Sequence, residues 1–249
     1  MNNAGRSFVI VLNFAVLAAA VGCATQREQI VRDWRPGPSE VESGAVERLR
    51  IGRMALLPVF GVVGAESDSL GCDVCVRRHA GGPNSPQDRR WLEEQVYGLL
   101  PADTRADLVP RDLTHAAAEG RALLRDGPAP KLKDLVEVGK LLKADSVLAV
   151  FVFRFREREG TQYGIHAPAS VAFELALIRV GRAEGDEGAG EATGATLWRA
   201  SFDETQESLS ENLLKLDRFI ENRGQWVEAA VLARYGLRRV MKTFPEAGP

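Results

Sequence analysis

The chain has little cysteine and little histidine, three of each in 249 residues. His79, His115 and His166 fall in different predicted elements, and no HExxH occurs, which excludes the helical zinc-hydrolase arrangement. There is no GxSxG and no phosphate-cradling GxxxxGK[ST] segment, so neither a nucleophile elbow nor a P-loop is encoded. Ser39, Ser67 and Ser69 sit in loops without such a context. Charge of one sign is also lacking: 32 Lys and Arg face 34 Asp and Glu. A nucleic-acid surface needs a basic excess, so that class is set aside. No internal repeat occurs. Beyond the first 22 residues nothing approaches about 18 uninterrupted apolar residues, so no second membrane span is expected.

One apolar run does stand out. It extends from Phe8 to Gly22, is interrupted only by Asn13, and follows a single cation, Arg6. Crossing a hydrocarbon core of ~30 Å takes about 20 apolar residues, so the run is too short to span and fits the core of a secretory signal. It ends Ala20-Val21-Gly22-Cys23, which resembles the lipobox of bacterial lipoproteins. That resemblance implies removal of residues 1–22, fatty acylation of Cys23 with chains such as palmitate, and a mature chain carrying 31 basic and 34 acidic side chains. Ala24, rather than Asp, follows the cysteine; by the same resemblance this implies the outer membrane, with the protein on its periplasmic side. Two or more acyl chains give stable anchoring, each buried methylene contributing ~0.8 kcal/mol. The alternative is an ordinary cleaved signal with Cys23 incidental.

Residues 23–48 read as a flexible tether. The stretch Arg35-Pro36-Gly37-Pro38-Ser39-Glu40 has no apolar period and buries too little surface to offset its ordering entropy. One periplasmic domain is expected over 49–249. Met54 to Phe60 reads as a central strand buried on both faces, with Pro58 near its end. A long loop, 61–84, carries Cys72 and Cys75. Ser85-Pro86-Gln87-Asp88 opens a helix that Pro101 stops. Asp107–Val109 reads as a short strand, Asp112–Arg125 as a second helix, and Leu132–Leu142 as a third. The strand that follows, Val147–Phe153, is apolar on both faces and continues with Phe151, Phe153 and Phe155 on one side and Val152, Arg154 and Arg156 on the other. Val171–Leu177 and Trp198–Phe202 alternate at period two around a Gly- and acid-rich tip, 181–194, giving an antiparallel meander. Asp203–Gln206 reads as a polar turn, Ser208–Glu211 as a capping box, and Gln225–Met241 as a last helix that Gly236 bends. Trp198 and Trp226 fall on apolar faces, as core residues do. The expected fold is α/β (α+β): a single mixed sheet with a C-terminal antiparallel meander, covered by amphipathic helices.

Two passages carry a family resemblance. Gly139-Lys140-Leu141-Leu142-Lys143-Ala144-Asp145 before a strand resembles the "lGk.lgaD.vl" passage of envelope lipoproteins related to the curli secretion lipoprotein CsgG, the peptidoglycan-synthase activator LpoB and the amino-terminal domain of TolB. Met54–Phe60 resembles the "iaVlPf" first strand of that group, and Ala169–Phe173 through Trp198 and Phe202 resembles its "dlrLid…lW…f" hairpin. The resemblance covers most of 50–241 and marks fold positions, with Gly139 allowing a close helix approach and Ala144-Asp145 a tight turn. It implies a binder, a regulator or an oligomeric pore component rather than an enzyme.

Cys72-Asp73-Val74-Cys75 is a lone CxxC. Redox use wants the first cysteine at a helix N-terminus directly after a strand, and here the loop runs on. Haem attachment needs His after Cys75, where Val76 stands. Zinc needs two ligands more; His79 is available, but no fourth is evident. In an exported chain we read the pair as a local disulfide. Arg154, Arg156 and Arg158, with Tyr163 nearby, form a candidate partner surface at a strand end. The expected function is a non-catalytic, membrane-anchored protein-binding or regulatory module without cofactor or metal. It would have an envelope protein partner and bind no nucleic acid, and its oligomeric state is left open. The alternatives are an oligomeric secretion component and a thiol–disulfide enzyme using Cys72 and Cys75. Alkylation of the mature exported protein should label Cys72 and Cys75 only after reduction; two free thiols in the oxidised protein would refute the disulfide.

Overall fold

A computed structural model of the chain describes residues 41–43, 51–64, 69–161, 164–181, 193–206 and 226–245. Cys23 and the expected leader before it, Tyr163, most of the 181–194 tip and the expected capping box at Ser208 lie outside the described residues. The main sheet contains β1 (Val41–Ser43), β2 (Met54–Leu56), β3 (Phe60–Gly61), β6 (Ser146–Arg156), β9 (Ser170–Arg179) and β10 (Thr196–Thr205). Their order is β1-β10-β9-β6-β2, with β3 also on β6. β6, β9 and β10 form the expected antiparallel meander, whereas β2 and β3 run parallel to β6. The short strands β4 (Ser69–Leu70) and β5 (His79–Ala80) pair with each other, as do β7 (Glu159–Gly160) and β8 (Ile165–Ala167). β1 falls inside the segment expected to be tether: Val41, Glu42 and Ser43 stand opposite Ala200, Arg199 and Trp198.

The helices follow from local sequence. Helix α1 (Pro86–Leu99) starts with a capping box: the Ser85 hydroxyl accepts from Asp88 N–H at 3.2 Å, and the Asp88 carboxylate accepts from Ser85 N–H at 2.7 Å. Two donors that have no intrahelical partner are thereby satisfied. The helix ends where Leu100 turns extended before Pro101, as a residue preceding proline must. After the short α2 (Ala102–Ala106) come α3 (Arg111–Gly120), α4 (Leu132–Leu141) and α5 (Ala229–Met241). Helix α3 stops five residues before the expected Arg125, and Ala122 takes a left-handed backbone at φ 56°. Trp226, half-buried, precedes α5 instead of riding on it, whereas Trp198 is core.

The sheet separates two apolar layers. On its first face Leu148, Val150 and Val152 of β6, Phe173 and Leu175 of β9, and Trp198 and Phe202 of β10 pack under α1 and α5. On the second face Val147, Ala149, Phe151, Phe153, Ala172 and Ile178 pack under α4, with Ala117 of α3 and Val74 of the cysteine loop. This is the expected fold class.

Three sequence expectations change. The Met54–Phe60 run is not a central strand but two short ones at the end of the sheet. It is covered because Val109 N–H donates to Met54 O at 2.8 Å and Leu108 bridges Met54, which is all that remains of the expected 107–109 strand. In β6 the register passes from Val152 opposite Phe173 to Arg154 opposite Ala172, so Phe153 is an extra residue, a bulge. Phe155 therefore leaves the Phe151 side and joins the first face, 5.9 Å from Trp91, while Arg154 turns to the second. Asp203, Glu204 and Thr205 belong to β10 rather than to a turn.

Two glycines hold the helices against the sheet. A Cβ on Gly139 of α4 would stand 2.4 Å from Val180 and 2.8 Å from Val147, the close approach expected for it. A Cβ on Gly236 of α5 would stand 2.5 Å from the Phe202 ring; that glycine is required by packing. Gly139→Ala and Gly236→Ala should each destabilise the fold by about 1–3 kcal/mol, the usual cost of overpacking, read as a lower urea midpoint at constant slope.

Candidate functional site

Four ionisable side chains from four strands meet on the second face. β5 supplies His79, β6 Arg154, β9 Glu174 and β10 Asp203. Their exposures are 2, 2, 1 and 5 %. The sheet register explains why they meet. Arg154 and Asp203 both stand opposite Ala172, one on each neighbouring strand. The alanine methyl leaves room for the guanidinium to pass over it, and Arg154 Nη2 donates to Asp203 Oδ1 at 2.6 Å. Arg154 Nε donates to Ser170 Oγ at 2.6 Å, and Nη1 to Ala80 O at 2.8 Å. The β6 bulge is what aims Arg154 this way; without it the side chain would face α1.

The cysteine loop closes the site. His79 Nδ1 lies 2.7 Å from Asp203 Oδ2 and Nε2 lies 2.7 Å from Glu174 Oε1, with the ring stacked 4.6 Å from that of Phe153. Glu174 also accepts the backbone N–H of Val76 at 2.6 Å and of Arg77 at 3.1 Å. Cys72 and Cys75 are disulfide-bonded, their Cα atoms 5.1 Å apart, and the turn they clip puts Val74 into the core. The Asp73 carboxylate accepts Leu132 N–H at 3.2 Å, satisfying a first-turn donor of α4. Gly82 lets the loop cross the Arg154 stem, where a Cβ would lie 2.5 Å from Cγ. A loop of few apolar residues is thus fastened by hydrogen bonds to charged groups, which are stronger than those between neutral partners.

Burial pushes the His79 pKa down, but its bonds to Asp203 and Glu174 and the attraction of both carboxylates outweigh burial and leave it raised. Burial pushes the Asp203 carboxyl up, and the His79 bond and the Arg154 charge outweigh that and hold it below the usual range. With His79 protonated, two cations and two anions leave the cluster neutral, the condition under which an apolar layer tolerates charge. No described group of side chains has the make-up of a metal site.

A second concavity of about 280 Å³ lies beside α1, lined by Pro58, Phe60, Arg89, Glu93, His115 and Asp126. Within it, buried Glu93 receives His115 Nε2 at 2.8 and 3.0 Å, and Arg89 contacts Asp126 at 2.6 Å.

Of the expected partner surface, Tyr163 lies outside the described residues and the three arginines have different surroundings. Arg154 is buried in the cluster, Arg156 is half-buried, and Arg158 donates to Trp226 O at 2.6 Å. Glu174 and Asp203 escaped sequence reasoning, although a lone acid within the apolar run Val171–Ile178 is a signal, since a charge in a covered strand must be paired.

The described residues contain no helix long and apolar enough to cross a membrane. No protein-family model matches the chain, and no curated protein matches it. Among solved structures, it is similar to the PelC dodecamer from Paraburkholderia phytofirmans, with 15 % identity, a TM-score of 0.43, and 82 % of this chain and 93 % of that one covered. It is similar to lipoprotein GNA1162 from Neisseria meningitidis, with 15 % identity, a TM-score of 0.34 and coverage of 69 and 96 %. It is also similar to the LpoB C-terminal domain from Salmonella enterica, with 13 % identity, a TM-score of 0.34 and coverage of 66 and 88 %. These likenesses are loose and assign neither activity nor assembly to this chain.

Asp203→Asn leaves Arg154 and His79 under-compensated in an apolar layer and should cost about 3–5 kcal/mol in urea unfolding. Because the Asp203 pKa is depressed in the fold, its stabilisation is complete above the unfolded value of about 3.9 and is lost as pH falls through the folded one. The Asn variant should lack that component of acid unfolding.

Proposed function

We propose that the protein is a non-catalytic module of the bacterial cell envelope, anchored through a lipidated Cys23 on the periplasmic side of the outer membrane, where it binds a protein partner. The observation that carries the non-catalytic half is the closure of the His79 cluster. A general acid or base must come within hydrogen-bond reach of its substrate, whereas here each ring nitrogen of His79 is occupied by a carboxylate of the same fold. The disulfide between Cys72 and Cys75 clips a turn within the loop, and neither cysteine opens a helix as a redox-active CxxC does. Charges held against one another under a loop position that loop. Its outer side presents Asp73 and Arg78 to solvent, and loops on a rigid sheet are where binding specificity resides. The anchoring half rests on the apolar run ending at Cys23 and the polar stretch after it.

Membrane fractionation of cells producing the wild-type chain should place it in the outer membrane with an acylated N-terminus at Cys23, and Cys23→Ala should release it to the periplasm. A Cys23→Ala chain that stays membrane-bound, with no acyl mass on the wild-type N-terminus, overturns the anchor.

A further inference from the structure

The His79 cluster is built so that one proton decides whether the cysteine loop is closed. Both imidazole nitrogens lie 2.7 Å from carboxylate oxygens, Asp203 on one side and Glu174 on the other. A neutral imidazole has one N–H and one lone pair, so it can donate to only one of them. The other nitrogen would set its lone pair against a carboxylate. The geometry therefore calls for an imidazolium donating on both sides.

We propose that residues 69–82 form a proton-locked flap over the second face of the sheet, held shut by the imidazolium of His79 and released when that proton leaves. The charged groups around His79 are Glu174 from β9, Asp203 from β10 and Arg154 from β6, with Arg77 and Arg78 flanking it in its own loop. With the proton in place the four buried charges sum to zero. Without it they sum to −1, in a layer made of Phe151, Phe153, Ala172 and Ile178. An uncompensated buried charge is among the costliest features a fold can carry. The flap can relieve it by lifting, because His79 is the only member of the four that sits on the loop. Lifting withdraws His79 from Phe153 and Val74 from the core, frees the backbone N–H groups of Val76 and Arg77 from Glu174 and parts Asp73 from Leu132 and Ala80 O from Arg154, whereas Arg154, Ser170 and Asp203 stay joined across the sheet. The disulfide keeps the loop tip in one shape during the motion. The raised pKa of His79 sets the direction: closure is complete below the free-histidine value of about 6.5 and is lost as pH rises through the higher folded value. The flap is thus closed in acid and opens on the alkaline side.

The test uses the full-length protein in detergent. Trypsin takes its substrate as a free extended segment, so opening the flap should speed its cleavage after Arg77, whose N–H is held by Glu174, and after Arg78, which leads into β5. Its rate at these bonds, divided by its rate on a free peptide of residues 72–82, is followed from pH 7 to pH 10. Deuterium exchange at the imidazole C2 of His79, read by mass spectrometry, gives the protonation midpoint in the same samples. The expected result is a His79 midpoint above the free-histidine value, with relative cleavage confined to the loop and rising about tenfold per pH unit while the flap is being unlocked, the slope of a one-proton linkage. His79→Gln, neutral at every pH, should be cut readily throughout, with no such slope. A midpoint at or below the free-histidine value, a flat cleavage ratio, or cleavage that spreads over the whole chain as pH rises would overturn the flap. If His79→Gln fails to fold, the wild-type midpoint and slope decide alone. Cell fractionation of Cys23→Ala reads only the anchor, so each idea can fail without the other.

Discussion

A charge in an apolar layer is stable only when an opposite charge has been brought to it, and four such groups meet at His79, Arg154, Glu174 and Asp203. Much of the second face is arranged around that requirement. The β6 bulge turns Arg154 inward, Ala172 leaves it a path to Asp203, and Gly82 lets the loop cross its stem. Glu174, already committed to His79, also takes two backbone donors from the loop. The cysteine loop contributes Val74 to the core and packs Leu70 and the Cys72–Cys75 disulfide against it, and the charged network adds to that burial a fixed position for the loop.

The two faces of the sheet thus differ in what holds them. The first is closed by hydrophobic packing: α1 and α5 lie on the alternating apolar side chains of β6, β9 and β10, with Gly236 setting how near α5 can come to Phe202. The second is apolar under α4 and polar under the loop. Hydrophobic burial is non-directional, whereas a hydrogen-bonded ion cluster fixes distance and angle. The loop is therefore held at one place and in one orientation. A cluster that is neutral as a whole is also sensitive to each proton it holds, which is the basis of the proposed proton-locked flap.

Much of the fold was legible in the sequence. The capping box at Ser85, the stop before Pro101, the apolar Val147–Phe153 and the alternation in Val171–Leu177 and Trp198–Phe202 are local signals, each fixed by the period of a helix or a strand. Gly139 was legible for the same reason, since a glycine on the apolar side of a helix predicts a close approach. The site was not. Arg154, Arg156 and Arg158 look alike in a period-two pattern, and only a register shift of one residue, set by the pairing of β6 with β9, separates the buried arginine from its neighbours.

The sequence by itself determined the class of fold, the ends of α1 and the meander, because these depend on residues a few positions apart. Tertiary structure alone decided which charges are buried and with whom. His79 and Asp203 are separated by 124 residues, and His79 and Glu174 by 95. No local pattern links positions that far apart. They are joined because strand pairing brings β9 and β10 alongside β6, and because a buried charge must find its counterion wherever the chain has placed it.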